Sequence, residues 1–230
     1  MQVEVVNVGD ELLRGATVNT NAAWLGEQLT EQGVDLNRIT VIPDDIEVIV
    51  EVVTEAVARV EHVIVTGGLG PTHDDRTMEA IADAFNLEMV EHEGARRWMA
   101  EERGYDPDEL TPGTLDLPEG ARFLPNHVGL APGAVVAGVY VLPGVPEEMK
   151  AMFGHIAEEF IGPAWFETIL ETAQPEREIA TWLEELERRF DVTVGSYPGE
   201  TVVVRISGRD ADEIDLAETW LRDRMDVVQR

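Results

Sequence analysis

The sequence predicts an α/β protein, a three-layer αβα arrangement on a mostly parallel sheet followed by a small α+β unit, and three observations carry that reading. Short apolar runs alternate with segments of helical periodicity in the order βαβαβα through Phe85. The run His62-Val-Ile-Val-Thr66 is apolar at successive interior positions, as in a strand buried on both faces. A glycine-rich turn, residues 66–75 (TGGLGPTHDD), stands where that strand meets the next helix, the usual ligand position in an open α/β sheet.

Each element has its own justification. Val3, Val5, Val6 and Val8 form a short buried strand closed by Gly9. A loop over residues 9–18 leads to a helix with Asn19 or Asn21 as its cap, Ala22, Leu25 and Leu29 on one face, and Gly33 as its stop. Residues 34–42 read as a second strand. Behind it, Asp44 and Glu47 stand as a capping-box pair ahead of Ile46, Ile49, Val50, Val53, Val57 and Val60 at helical spacing. After the third strand, Met78, Ile81, Ala82 and Phe85 mark a helix that begins near Thr72.

Residues 92–126 are less regular, with a helical stretch at 95–102 and a loop rich in Asp, Pro and Gly. Residues 133–142 read as two short strands in a hairpin, and Pro143-Gly-Val-Pro146 turns into a helix from Glu147. The first domain is set at residues 1–165 and the second at 166–230, with the boundary between Gly162-Pro163 and Pro175. In the second, Ile179, Trp182, Leu183, Leu186 and Phe190 make an amphipathic helix. Two strands, 192–196 and 201–207, pair around Pro198-Gly199, and Ile214, Ala217, Leu221 and Met225 lie on a last helix. The expected order is αββα.

Composition excludes several functions. With 46 acidic and 17 basic residues the net charge is −29, and Lys150 is the sole lysine, so nothing resembles the basic footprint of a nucleic-acid binder. The acid excess is spread along helix faces and suits a surface adapted to high salt. Cysteine is absent, which removes disulfides, thiolate metal sites and a cysteine nucleophile. No apolar run reaches the roughly 20 residues a membrane helix needs, and the expected location is cytoplasmic.

Gly67, Gly68 and Gly70 let successive backbone N–H groups face a ligand, and such a nest at a helix N-terminus takes phosphate. The spacing is neither a dinucleotide fingerprint nor a P-loop, since no lysine follows the glycines. The bland alternative is a tight turn with Thr72 and Asp75 as a capping pair. If the first and third strands are neighbours, Asp10 and Asp75 converge on the nest. Carboxylates facing phosphate then call for a hard divalent cation between them, able to polarise a phosphoryl oxygen and activate a water. Chance acidic pairing in an acidic chain is the competing account. Asn19 and Asn21 are cap or ligand contact, the turn at 143–146 offers a second set of free N–H groups, and His73 is a ligand, a proton shuttle or an ordinary loop residue.

The segments GDELLRG (9–15), NTN (19–21), TGGLGPTHDD with Arg76-Thr77, VGLAPGA around Gly129 and LPGVPEEM from Leu142 resemble the N-terminal domain of the CinA (competence/damage-inducible protein A) family. That domain is part of the MoaB/MogA/MoeA-type molybdopterin-binding superfamily. The C-terminal part, with Ser196-Tyr-Pro198, resembles the small KH-like domain of CinA proteins. It lacks the GxxG clamp, so only a fold is carried over.

The resemblance implies a MogA/MoaB-like fold, dimeric or trimeric assembly, and divalent-metal-dependent hydrolysis of ADP-ribose-like nucleotide diphosphates. Mg²⁺, Mn²⁺ or Co²⁺ would be the metal, with K⁺ as a further cofactor. It places Asp10 and Asp75 at the metal and Asp74 or Glu11 beside the water. The phosphate or pterin cradle falls on Thr66, Gly67, Gly68, Gly70, Pro71 and Thr72, with Asn21 and the second-loop residues Gly144 and Pro146. Three functions follow: a pyrophosphatase, a molybdopterin-binding or adenylyl-transfer protein on the same cradle, and a non-catalytic nucleotide-binding module. The GGLGPT form favours the first over the second.

Overall fold

Side chains of the first strand alternate between two cores, and the larger of two compact units is built around that division. The computed structural model describes residues 1–70 and 75–228. The units are Met1–Gly162 and Pro163–Arg230.

The larger unit opens with β1 (Gln2–Val8), a four-residue helical turn α1 (Asp10–Leu13), α2 (Thr20–Glu31), β2 (Asp35–Ile42), α3 (Ile46–Val57) and β3 (His62–Thr66). It continues through α4 (Thr77–Ala84), β4 (Met89–Glu91), α5 (Glu93–Glu101), β5 (Asp116–Pro118) and β6 (Arg122–Leu124). It closes with β7 (Gly133–Val136), β8 (Val139–Leu142) and α6 (Pro146–Ile156). Six strands form one sheet in the order β2-β1-β3-β8-β7-β6. The first four run parallel, and β7 is antiparallel to both of its neighbours. Strands β4 and β5 make a separate two-stranded ribbon. The expected αβα arrangement with a mostly parallel sheet is the one observed.

On one face Val6, Val8, Val63 and Val65 pack with Ile49, Val53 and Ile81 of α3 and α4. On the other, Val3, Val5 and Ile64 pack with Leu25 and Leu29 of α2 and with Met149, Met152 and Phe153 of α6. Removing a ring as buried as Phe153 costs on the order of 3–5 kcal/mol in such a core. One charged side chain enters the sheet interior: Glu4, 3% exposed, receives two bonds of 3.0 Å from the Arg59 guanidinium. That bidentate pairing is what makes a carboxylate tolerable there.

Several local expectations change. The 9–18 loop contains the turn α1. The cap of α3 is Asp45, which accepts from the Val48 N–H at 3.2 Å, one residue later than the Asp44 capping box. Asp44 is drawn away because its carboxylate accepts the Asp10 N–H at 2.9 Å, across the strand ends. Helix α4 starts at Thr77 rather than near Thr72, with Arg76 at its N-cap. The β7–β8 hairpin turns through Ala137 and Gly138, both at positive φ (49° and 82°), as a two-residue primed turn demands.

The smaller unit is βαββα, not αββα. It contains β9 (Phe166–Thr172), α7 (Glu176–Arg189), β10 (Thr193–Pro198), β11 (Val202–Gly208) and α8 (Ala211–Arg222), with an antiparallel sheet in the order β10-β11-β9. Strand β9 buries only Leu170 and Thr172, so its sequence carries no period-2 apolar signal. Both helices pack on one face, where Ile179, Leu186, Ile214 and Leu221 meet Leu170, Val204 and Ile206. Among the described residues, no helix is long and apolar enough to cross a membrane.

Tyr140 supplies a test of the α6-side core. It is buried on β8, donates to Glu159 at 3.1 Å, and lies against the His62 and Phe160 rings. Burial, and then the Glu159 hydrogen bond, push its phenol up to about 12. An unfolded tyrosine ionises near 10, so the native state holds a proton that the unfolded chain releases. This contribution to stability is fully present below pH about 10 and is lost as the pH rises through the folded value. Urea midpoints measured from pH 8 to 12 are expected to fall less steeply for Tyr140→Phe than for the parent chain. Equal slopes would show that Tyr140 does not hold that proton.

Candidate functional site

Three strand ends meet at one edge of the larger unit because β1, β3 and β8 are adjacent and parallel. Their following residues, Gly9, Gly67 and Pro143-Gly144, therefore share a corner. Gly67 closes the approach: its N–H donates to the Leu142 carbonyl at 3.1 Å, and its φ of +105° suits glycine alone. A β-carbon there would collide with the Val8 carbonyl. The Gly68 carbonyl accepts the Thr77 N–H at 3.2 Å, and a side chain on Gly68 would strike the Thr77 hydroxyl. Beside Gly70 lies the Asp75 carboxylate, in the space a β-carbon would take. A β-carbon on Gly144 would lie 3.2 Å from the Gly67 Cα.

A chain of amides, buried at Asn7 and Asn21 and half-buried at Asn19, sits behind this corner. Asn19 caps α2 by accepting the Ala22 N–H at 3.0 Å and donates to Asn7 Oδ1 at 3.1 Å. Asn7, 1% exposed on β1, in turn donates to Thr66 Oγ1 at 2.6 Å. Asn21 reaches the other way, donating to the Gly144 carbonyl at 2.8 Å. The two asparagines of the NTN segment thus divide the alternatives: Asn19 is the cap and Asn21 the loop contact.

In front of the corner lies a cleft of about 900 Å³. One wall is Gly67–Gly70 with Gly9 and the start of α6; the opposite wall is supplied by Leu110–Thr114, Leu117 and Leu130–Pro132. Among the described residues six carboxylates line it, those of Glu11, Asp44, Asp75, Glu79, Asp116 and Glu148. Arg76 holds Glu79 through bonds of 2.8 and 2.9 Å, which keeps the Glu79 carboxyl below its ordinary range. Helix N-termini supply the opposite polarity. Within the larger unit α2, α3 and α5 have side-chain caps from Asn19, Asp45 and His92, whereas α1, α4 and α6 have none from their N-cap residues. The three without such caps begin at the cleft. The Asp10 N–H is taken by Asp44, the Thr77 N–H by the Gly68 carbonyl, and Pro146 has none, so the positive end of α4 and α6 is offered by the N–H groups that follow.

The structure distributes the residues picked out in the sequence as follows. Gly67, Gly68, Gly70, Asp75, Glu11 and Gly144 line the cleft. Asn21 supports it from behind. Thr66 is 2% exposed and engaged by Asn7, so it anchors the turn from beneath. Pro146 is the exposed first residue of α6, set back from the cleft wall. The Asp10 carboxylate turns outward to Arg14 at 2.5 Å and does not line the cleft; its place beside the glycines is taken by Asp44 and Glu11. Pro71, Thr72, His73 and Asp74 lie outside the described residues. Among the described residues no three acidic or histidine side chains are grouped to hold a metal ion.

Sequence reasoning missed Asn7, Asp44, Thr77 and Glu148. Thr77 is completely buried, and among the described residues its hydroxyl has no hydrogen-bond partner. A polar residue inside a valine strand was the signal for Asn7. The others take their roles only from which chain ends the sheet brings together.

The model of the family described as a probable molybdopterin binding domain matches residues 4–162. A protein of Archaeoglobus fulgidus is 38% identical over 219 residues, covering 94% of this chain and 95% of the relative. A protein of Pyrococcus furiosus is 39% identical over 244 aligned positions, covering 97% of each chain. Among solved structures, the CinA protein of Thermoplasma acidophilum, of unknown function, matches with a TM-score of 0.64 and 36% identity. That match covers 70% of this chain and 98% of the other.

Two substitutions separate the corner's constraints. Asn7→Ala breaks one buried and one half-buried hydrogen bond and is expected to cost about 1–3 kcal/mol. Gly67→Ala meets both a forbidden φ and the Val8 carbonyl, and a loss of more than about 3 kcal/mol is expected. Urea unfolding midpoints give the order; a Gly67→Ala chain as stable as the parent would mean that the strand ends do not need this approach.

Proposed function

Because this chain belongs to the family of probable molybdopterin-binding domains and is CinA-like, we propose that its cleft binds a phosphorylated heteroaromatic ligand, a pterin phosphate or a nucleotide diphosphate. The observation that carries this reading is the meeting, on one cleft, of the glycine turn Gly67–Gly70 with the starts of α4 and α6, whose N-cap residues supply no side-chain cap. The phosphates go to the N–H groups of the glycine turn and of the α6 start. The ring goes toward Met78, Met89, Leu110 and Leu117, which make the apolar part of the lining. Asn21 serves by fixing the Gly144 carbonyl, and hence the second loop.

Hydrolysis of an ADP-ribose-like diphosphate is a second reading, supported by the carboxylates of the cleft. Their oxygens suit Mg²⁺, Mn²⁺ or Co²⁺. Among the described residues no three of them converge, so the ligand's own phosphate oxygens would have to complete a cation's shell. Within this reading Asp75 adjoins Gly70 of the cradle and Glu11, beside Gly9, flanks the cleft from the β1 side.

Calorimetric titration with ADP-ribose, AMP and pyrophosphate tests the first reading, and AMP release with each of the three metals tests the second. Binding of the phosphorylated compounds but not of adenosine is expected; no binding by any of them would sink the anion-cradle reading. If the chain is a hydrolase, Asp75→Asn is expected to lower AMP release about 100-fold or more while leaving the unfolding midpoint in place. Tight ADP-ribose binding with no AMP at any metal would reduce the protein to a binding module.

A further inference from the structure

Away from the glycine corner, two imidazoles from different elements lie in tilted ring contact. His127 belongs to the segment between β6 and β7, and His155 to the last turn of α6. Both are exposed, their ring centroids are 5.1 Å apart and their planes make 51°. Among the described residues neither ring has a hydrogen-bond or ion-pair partner. A ring nitrogen lies about 1.2 Å from its centroid and a zinc–nitrogen bond is about 2.0–2.1 Å, so two imidazoles on one tetrahedral ion have centroids about 5.2 Å apart. The observed 5.1 Å is the separation such a pair needs, with a turn of each ring about its own side-chain bonds bringing one nitrogen of each to the ion. We propose that His127 and His155 form a two-imidazole site for Zn²⁺, Ni²⁺ or Cu²⁺ that clamps the 126–132 segment to α6.

The supports of both rings are rigid, which a chelating pair needs. Asn126, fully buried, donates to Glu148 Oε2 at 2.7 Å and to the Ala131 carbonyl at 3.0 Å, while its own oxygen accepts from the Gly129 N–H at 2.8 Å. Arg103 donates to the Asn126 and Gly129 carbonyls. Its guanidinium, the cation closest to this segment, also lies over the Trp98 ring, whose edge contacts His127. His155 follows Met152 and Phe153, both anchored in the core.

Among the described residues no third acidic or histidine ligand joins the pair, so water completes the shell. Two neutral imidazoles without a carboxylate select borderline transition metals over Mg²⁺ and Mn²⁺. The ion would brace the cleft, because the same segment contributes Leu130–Pro132 to one wall and α6 contributes Glu148.

Copper titration of the full chain, followed by electron paramagnetic resonance, reads the site directly. One Cu²⁺ per chain with a two-nitrogen hyperfine pattern is expected, undisturbed by excess Mg²⁺. His127→Ala and His155→Ala should each weaken binding at least about tenfold, since losing a ligand costs no less than losing one of its supports. Both positions are exposed, so the metal-free unfolding midpoints should stay those of the parent. The same pattern and affinity in either variant, or no copper bound beyond the level of the double variant, would overturn the proposal. Neither result bears on ADP-ribose or pyrophosphate binding at the glycine corner, which is measured separately.

Discussion

The approach of the Gly67 backbone to the Val8 carbonyl is the contact on which the candidate site depends. Strands β1 and β3 are neighbours in the sheet, so the residues that follow them must turn away within one another's van der Waals radius. Without a side chain at Gly67 the two turns share that space; with one, either the strand pairing or the turn gives way. Gly144 extends the argument to β8, pressed against Gly67 from the other side. Three parallel strand ends are thereby brought close enough for one ligand to touch all of them, and the Asn19–Asn7–Thr66 chain, buried at Asn7 and Thr66, ties β1 to β3.

Charge at this corner is divided in an instructive way. The side chains are acidic, yet the backbone presented to the cleft is the positive end of helices whose N-cap residues provide no cap of their own. In a chain of net charge −29, side chains cannot supply the attraction a phosphate needs. Main-chain N–H groups can, because their number and direction are set by the fold and not by composition. Arg14 and Arg76, the cations next to the turns that follow β1 and β3, are already engaged with Asp10 and Glu79. An anion bound as proposed would be recognised by geometry first.

The second wall of the cleft comes from the stretch with the least regular sequence. The β4–β5 ribbon, the short turn at Pro107–Glu109 and the segment held by Asn126 have no periodicity long enough to read. Their order comes from contacts distant in sequence, such as Asn126 with Glu148 and Arg103 with Gly129. The proposed histidine clamp belongs to the same class of feature, since its two rings come from separate elements.

The strands and longer helices of the larger unit as far as α4 were legible in the amino-acid sequence because each has a period of its own. Valines at successive positions gave β1 and β3, and the spacing of Ile49 and Val53 gave α3. The glycine turn was legible too, since three glycines in four residues exceed the needs of a simple reversal. Strand β9 was not, because an edge strand that buries two residues leaves no alternation to detect. Nor was the direction of a carboxylate. Asp10 and Asp44 are both acids in loops after strands, and only the folded chain turns Asp10 to Arg14 and hands its N–H to Asp44. Local periodicity determines elements, but which side chains meet across 34 residues is decided by the order and direction of the strands, and those exist only in three dimensions.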